Sequence, residues 1–160
     1  MSFSKSVLLH QDKPAYGLLL KIIVVIVPGA LLLGSIYLWF FGENSGSLAM
    51  LAEAFFIGLV FWIIFPRRYE VYEDHLRIVL GGTFAVKIGF DRTTAIEVTS
   101  RMGLTINFVT RVTKTYVRIV KRKGLDIAIT PKSNDSFVEN ANRALGQWLK
   151  IKCETGVDQF

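Results

Sequence analysis

The densest set of residues that could do chemistry lies between Arg101 and Lys123. Arg101, Arg111, Lys114, Arg118, Lys121, Arg122 and Lys123 fall within 23 residues that contain no Asp or Glu. Such a run builds a positive potential suited to an anionic surface. Phospholipid headgroups are the first expectation, with an acidic protein partner or nucleic acid behind it. Nucleic acid is the least favoured, because the C-terminal helical stretch lacks a basic face and no recognised binding motif occurs. The plainer reading is a solvated face, since edge strands also use bases to resist aggregation, and it weighs more than any single ligand.

Other candidates are weaker. His10 and His75 lack metal-ligand spacing and read as ordinary surface histidines. Gly81-Gly82 lacks the lysine and the following helix of a phosphate loop and reads as a turn. Asp91-Arg92 pairs a carboxylate with a base, but a turn with a local hydrogen bond is the default for such residues. The single cysteine, Cys153, can form neither an intramolecular disulfide nor a metal site. No nucleophile motif occurs, so the expectation is a non-enzyme without a cofactor or a metal.

These residues must be held by something, and the chain divides near Phe65-Pro66-Arg67. The sequence is 51% hydrophobic, with the excess in its first 65 residues. Ile22 to Phe41 is 20 residues without a charge, and Leu48 to Phe65 is 18 residues with one, Glu53. About 20 apolar residues cross the roughly 30 Å of bilayer hydrocarbon as a helix. The expectation is therefore a two-helix membrane hairpin over 16–66, with spans 22–41 and 48–65 joined by the polar loop Gly42 to Ser47. Residues 1–15 form a polar segment before it, and the block is too long for a signal-peptide core. Pro28-Gly29 inside the first span is tolerated in lipid with a kink. Tyr37, Trp39, Phe40 and Phe41 suit an interfacial aromatic belt. Glu53 lies near the loop end, where it reaches water or protonates.

Charge sets the orientation. Lys13 and Lys21 precede the first span and Arg67 and Arg68 follow the second, while the loop carries Glu43 and no base. The positive-inside rule places both termini in the cytoplasm. That makes the chain a multi-pass protein of the cell (inner or plasma) membrane. The net charge of +6 resides after residue 66, where 16 basic residues face 10 acidic ones.

From Tyr69 to Ile129 the pattern has period two. Leu76, Ile78 and Leu80 alternate with Arg77 and Val79; Phe84, Val86, Ile88 and Phe90 alternate with Ala85, Lys87 and Gly89. Ile96 and Val98, then Leu104, Ile106 and Phe108, then Leu125, Ile127 and Ile129 repeat the alternation. One apolar face per run means half-buried antiparallel strands. With Tyr69–Tyr72 and Tyr116–Lys121 this gives seven strands, separated by turn-like segments such as Glu73-Asp74-His75 and Arg101-Met102-Gly103. After Pro131 the spacing becomes helical: Phe137, Ala141, Leu145 and Trp148 fall on one face, with Ser133 or Asn134 as a cap. A domain over 67–152 and a tail over 153–160 follow. The fold class is a membrane α-hairpin plus an α+β/all-β domain.

Seven strands and one closing helix resemble a pleckstrin-homology (PH) domain. More specifically, residues 67–149 resemble bacterial PH domains found behind paired membrane helices. The shared features are the aromatic first strand and tight turn from Arg68 to Leu76, Gly81-Gly82 after the second strand, and Ile88, Phe90 and Asp91 leading into Ile96-Glu97. The resemblance implies a PH-like seven-stranded antiparallel barrel closed by a C-terminal helix, in a non-catalytic module at a membrane. The phosphoinositide site of eukaryotic members does not carry over, because the first strand–strand loop here, Glu73-Asp74-His75, is short and acidic. The expected function is a cytoplasmic binding or scaffolding module in contact with membrane lipid, with a protein partner or a second copy as further partners. The alternative is a structural subunit or assembly factor of a larger membrane complex.

Overall fold

The computed structural model describes residues 6–42, 44–101 and 104–154. Glu43 of the expected outer loop, Met102 and Gly103 of an expected turn, and tail residues 155–160 lie outside them. Two long apolar helices, α1 (Leu18–Phe40) and α2 (Asn44–Ile64), stand side by side. At 1.5 Å per residue, their 23 and 21 residues run about 34 and 32 Å. Both are long and apolar enough to cross a membrane, and little of either surface is covered by protein. Both helices begin about one turn earlier than the expected spans. Leu18 to Leu20 extend α1 ahead of Lys21, and Asn44 and Ser45 supply the polar first turn of α2.

Pro28 lies within α1 without ending it. The helices are joined by reciprocal hydrogen bonds near the loop. Ser35 Oγ donates to the Ser47 carbonyl at 2.9 Å, and Ser47 Oγ donates to the Ser35 carbonyl at 2.8 Å. Both serines are buried, and each hydroxyl satisfies itself on the opposite backbone, as polar side chains between apolar helices must.

The remaining residues build two four-stranded sheets and a helix. The first sheet has the order β1 (Leu8–Asp12), β2 (Arg68–Tyr72), β3 (His75–Val79), β4 (Ala85–Gly89), antiparallel throughout. A 3₁₀ turn, Phe90–Arg92, leads into the second sheet. Its strands are β5 (Thr93–Thr99), β6 (Thr105–Phe108), β7 (Tyr116–Lys121) and β8 (Asp126–Ile129), in the order β5-β7-β8-β6. The last helix, α3 (Asn134–Glu154), packs on β5, β1, β2 and β7.

This architecture corrects the expectation of a seven-stranded antiparallel barrel. There are eight strands, in two sheets, with no closed barrel among the described residues. The additional strand is β1, from the segment before the hairpin. Leu8-Leu9-His10-Gln11-Asp12 lacks period-two alternation and sits largely exposed at a sheet edge, so hydropathy does not mark it. It pairs with β2, placing Asp12 opposite Tyr69. Two elements adjacent in space are thus separated in sequence by the whole hairpin. The second departure is β6, which lies parallel to β8, with Thr105 opposite Asp126 and Phe108 opposite Ile129. Of its alternating apolar set only Phe108 packs against the core, while Leu104, just before the strand, is 87% exposed and Ile106 is exposed as well. The physical reason is position, since β6 is an edge strand that α3 does not cover.

The core forms where both sheets meet α3. Tyr69, Val71, Leu76 and Ile78 come from the first sheet, Ile96, Val117, Ile119 and Ile127 from the second, and Phe137, Ala141 and Leu145 from the helix. Each large apolar side chain so buried stabilises the fold by about 1.5–3 kcal/mol, more than an exposed ion pair contributes. Asn142 Nδ2 donates to the Ile96 carbonyl at 2.9 Å and fixes the register of α3 on β5.

Gly81 shows how closely the hairpin seats on the sheets. Its N–H donates to the Ile63 carbonyl at 3.2 Å, and a Cβ on it would stand 1.5 Å from the Trp62 carbonyl oxygen. The Gly81-Gly82 pair is therefore both a turn, with Gly82 at φ +68°, and the seat for the end of α2. Gly81→Ala is expected to destabilise the protein by about 1–3 kcal/mol. Gly146→Ala in α3, where a Cβ meets nothing within 4 Å, is expected to stabilise it by about 0.5–1 kcal/mol. Thermal unfolding of the two detergent-solubilised variants checks both signs.

Candidate functional site

The region where the hairpin joins the sheets gathers the polar and charged groups of interest. The chain enters α1 along residues 13–17, which run beside 130–132. The Ala15 N–H donates to the Thr130 carbonyl at 2.9 Å, the Lys132 N–H to the Lys13 carbonyl at 2.9 Å, and the Gly17 N–H to the Thr110 carbonyl at 2.9 Å. Pro14 and Pro131 lie opposite each other in the same ladder. The chain leaves α2 through Phe65 and Pro66, where the Pro66 carbonyl accepts a hydrogen bond from the Tyr16 hydroxyl. The Arg67 N–H then donates to the Val79 carbonyl at 2.6 Å.

Beneath this junction lies a buried polar knot. The Thr110 N–H donates to Thr130 Oγ1 at 2.9 Å, Thr110 Oγ1 donates to the Ala15 carbonyl at 2.8 Å, and the two hydroxyls are 3.0 Å apart. The Tyr69 hydroxyl donates to the Phe108 carbonyl at 3.1 Å. Burial raises the Tyr69 hydroxyl pKa strongly, against the pull of neighbouring Thr130 and Thr110. It is a fixed neutral donor. Burial also raises the Tyr16 pKa, and the nearby Arg67 charge offsets part of that rise.

The seven basic residues of the Arg101–Lys123 stretch do not form one face. Arg101 and Tyr116 meet at the hairpin-proximal end of β5 and β7, where the Tyr116 hydroxyl donates to the Arg101 carbonyl. Arg111 and Lys114 lie on the neighbouring β6–β7 loop, and a Cβ on Gly17 would touch the Arg111 backbone. Lys121, Arg122 and Lys123 lie at the opposite end of β7, beside the 3₁₀ turn, where the Arg122 N–H donates to the Arg92 carbonyl. Five strand steps separate Tyr116 from Lys121, roughly 17 Å at about 3.3 Å per residue. Arg118 sits between the groups with its charge compensated: Nε and Nη2 reach Glu97 at 3.0 and 2.7 Å, and Asp126 stands 4.0 Å away.

A different basic rim surrounds the hairpin base. It comprises Lys13, Lys21, Arg67 and Arg68 together with Arg111 and Lys114. Arg67 lies over the Trp62 ring, 5.3 Å from its centre. Exposed apolar side chains share the rim, with Val112 90% exposed and Phe84 also turned outward. Between α1 and α2 at this level is a groove of about 590 Å³ lined by Tyr16, Lys21, Gly58, Trp62 and Arg67 among others. Glu53 is exposed on α2 and makes no ion pair among the described residues.

The remaining candidates resolve individually. His75 is buried rather than on the surface, stacked on Tyr72 with ring centres 4.6 Å apart and paired with Asp74. Burial pushes the Asp74 carboxyl up. Hydrogen bonds from His75 and Ser6, with the charges of His75 and Lys87, outweigh it and hold the group below its usual 3.8. His10 lies two strands away in the same sheet, against Phe137. Asp91 and Arg92 occupy the 3₁₀ turn and pair with each other at 3.6 Å.

Comparison with family models, with curated proteins and with solved structures finds no match to this chain. The roles of Tyr16, Thr110 and Thr130 leave no sequence signal, because each depends on partners 20 to 95 residues away. The rim residues Lys21 and Arg67 were visible as flanks of the apolar spans.

Thr130→Val keeps the volume but leaves the buried Thr110 N–H without its acceptor. A loss of about 1–3 kcal/mol is expected, against less than about 1 kcal/mol for Glu97→Gln at a half-exposed pair; thermal unfolding compares them. Asp74 has a lowered folded pKa, so its contribution to stability is present above pH 3.8 and is lost as pH falls through the folded value. Asp74→Asn should flatten that acid limb in a pH series of unfolding midpoints.

Proposed function

We propose that this chain is a small integral membrane protein whose hairpin crosses the bilayer and holds a non-catalytic, PH-like binding or scaffolding module at the cytoplasmic face. The observation that carries this reading is the pairing of two exposed apolar helices with a basic, aromatic rim where they enter the sheets. Lipid covers the first, and anionic headgroups match the second, at about 1 kcal/mol for each Lys or Arg near the surface. The PH-like reading draws on two packed sheets followed by a helix that covers the core, in the order such a domain uses. The eighth strand and the parallel β6–β8 pair are this chain's own additions to that pattern.

Position divides the basic residues by role. Lys13, Lys21, Arg67, Arg68, Arg111 and Lys114 lie where a bilayer surface would meet the domain. Lys121, Arg122 and Lys123 lie roughly 17 Å farther along β7, beyond the screening length of about 8–10 Å at physiological salt. The distal tip is thus a solvated end or a contact for a protein partner, and the rim is the lipid-facing part of the domain.

The orientation follows from the bases at both ends of the hairpin. Cysteines introduced one at a time at Gly42 and at Lys123, in a Cys153→Ser background, test it in intact cells. An impermeant thiol reagent should label the Gly42 position only, and the protein should stay in the membrane pellet after alkaline carbonate. Labelling at Lys123 alone would reverse the orientation, and release by carbonate would remove the membrane-spanning reading.

A further inference from the structure

The groove between α1 and α2 has a charged mouth and an apolar floor. Lys21, one turn into α1, Arg67, just past the end of α2, and Tyr16, just before α1, line its sheet-proximal end. Its floor is formed by Val24 and Gly58, each six residues in from a helix end, about 9 Å deep at 1.5 Å per residue. Gly58 borders open space, since a Cβ there meets nothing within 4 Å. Trp62 forms one wall and holds the Arg67 guanidinium over its ring.

No carboxylate lines this groove, and neither Lys21 nor Arg67 makes an ion pair among the described residues. The neighbouring groups do not neutralise them either. The Tyr16 hydroxyl donates to the Pro66 carbonyl, which fixes the ring as a wall of the mouth. Two cations lining one apolar slot of about 590 Å³ are complementary to a phosphate diester of net negative charge with a hydrocarbon chain attached, whereas a zwitterionic headgroup brings its own cation to compete with them. A soluble phosphate would leave the slot empty, and a neutral lipid would leave the cations unmatched.

We infer that this groove is a specific site for an anionic phospholipid of the surrounding bilayer, its phosphate between Lys21 and Arg67 and one acyl chain against Gly58. The site rests on the membrane-spanning reading above. It differs from diffuse attraction of the basic rim because it needs a defined pair of cations and a defined hollow. Occupancy ties the start of α1 to the end of α2.

The full-length protein, purified in mild detergent from bilayers of mixed phosphatidylglycerol and phosphatidylcholine, should retain phosphatidylglycerol preferentially in native mass spectrometry. The double change Lys21→Gln with Arg67→Gln should lower that retention roughly thirtyfold, and Lys21→Arg with Arg67→Lys should keep it. Gly58→Leu, which fills the hollow without changing charge, should also lower it. Lys121→Gln, Arg122→Gln and Lys123→Gln together should leave it unchanged, as should excess inorganic phosphate. The inference is overturned if the wild type retains both lipids equally, if the Lys21 and Arg67 double variant retains phosphatidylglycerol unchanged, or if phosphate displaces the lipid. Carbonate extraction of every variant separates this failure from failure of the membrane reading: a protein that stays in the pellet yet binds no lipid selectively loses only the groove.

Discussion

Everything in this molecule depends on how a polar backbone passes from a water-facing sheet into an apolar helix pair. Each helix start leaves backbone N–H groups without helical partners, and a junction is the worst place to leave them bare. Here the entering segment, residues 13–17, is satisfied by the carbonyls of Thr110 and Thr130 and in turn accepts from Lys132 and Thr110. The leaving segment is closed by Tyr16, Val79 and Gly81. Both ends of the hairpin are therefore part of the sheets' hydrogen bonding rather than tethers.

That constraint explains the choice of small and polar residues at positions that composition alone would leave unexplained. Gly17 admits the Arg111 backbone and Gly81 admits the Trp62 carbonyl, approaches that a Cβ would obstruct. Thr110 and Thr130 satisfy one another in a site sealed from water. Tyr69 reaches across from β2 to β6, and its burial raises the hydroxyl pKa further. Above this polar layer the surface turns basic and aromatic, and below it lies the apolar cluster shared by the two sheets and α3.

The parts of the fold governed by local periodicity were legible in the sequence. Leu76 and Ile78, or Phe137, Ala141 and Leu145, occupy the faces their spacing assigns them. The two apolar helices were equally plain, with their starts off by about a turn and their ends by one residue. Features decided by distant partners were not legible. Strand β1 has no pattern of its own and is made a strand by β2. The parallel setting of β6 follows from a crossover between sheet edges, which alternation does not encode. The basic stretch read as one cluster because sequence distance was short, yet a strand that runs through it carries its two ends apart. His75 read as a surface residue because hydropathy cannot show that the Glu73-Asp74 turn folds its ring back onto Tyr72 and beside Asp74.

The placement of β1 before the hairpin and β2 after it has a consequence for how the chain is made. During synthesis the first strand emerges some 55 residues before its neighbour and has nothing to pair with. A loop of that length would ordinarily be closed by a slow search, at a cost that grows with the logarithm of its length. Two antiparallel helices bring its ends to the same side and nearly together. On the membrane-spanning reading proposed above, insertion of the hairpin would do the work of loop closure, with the β1–β2 pair following once β2 has emerged.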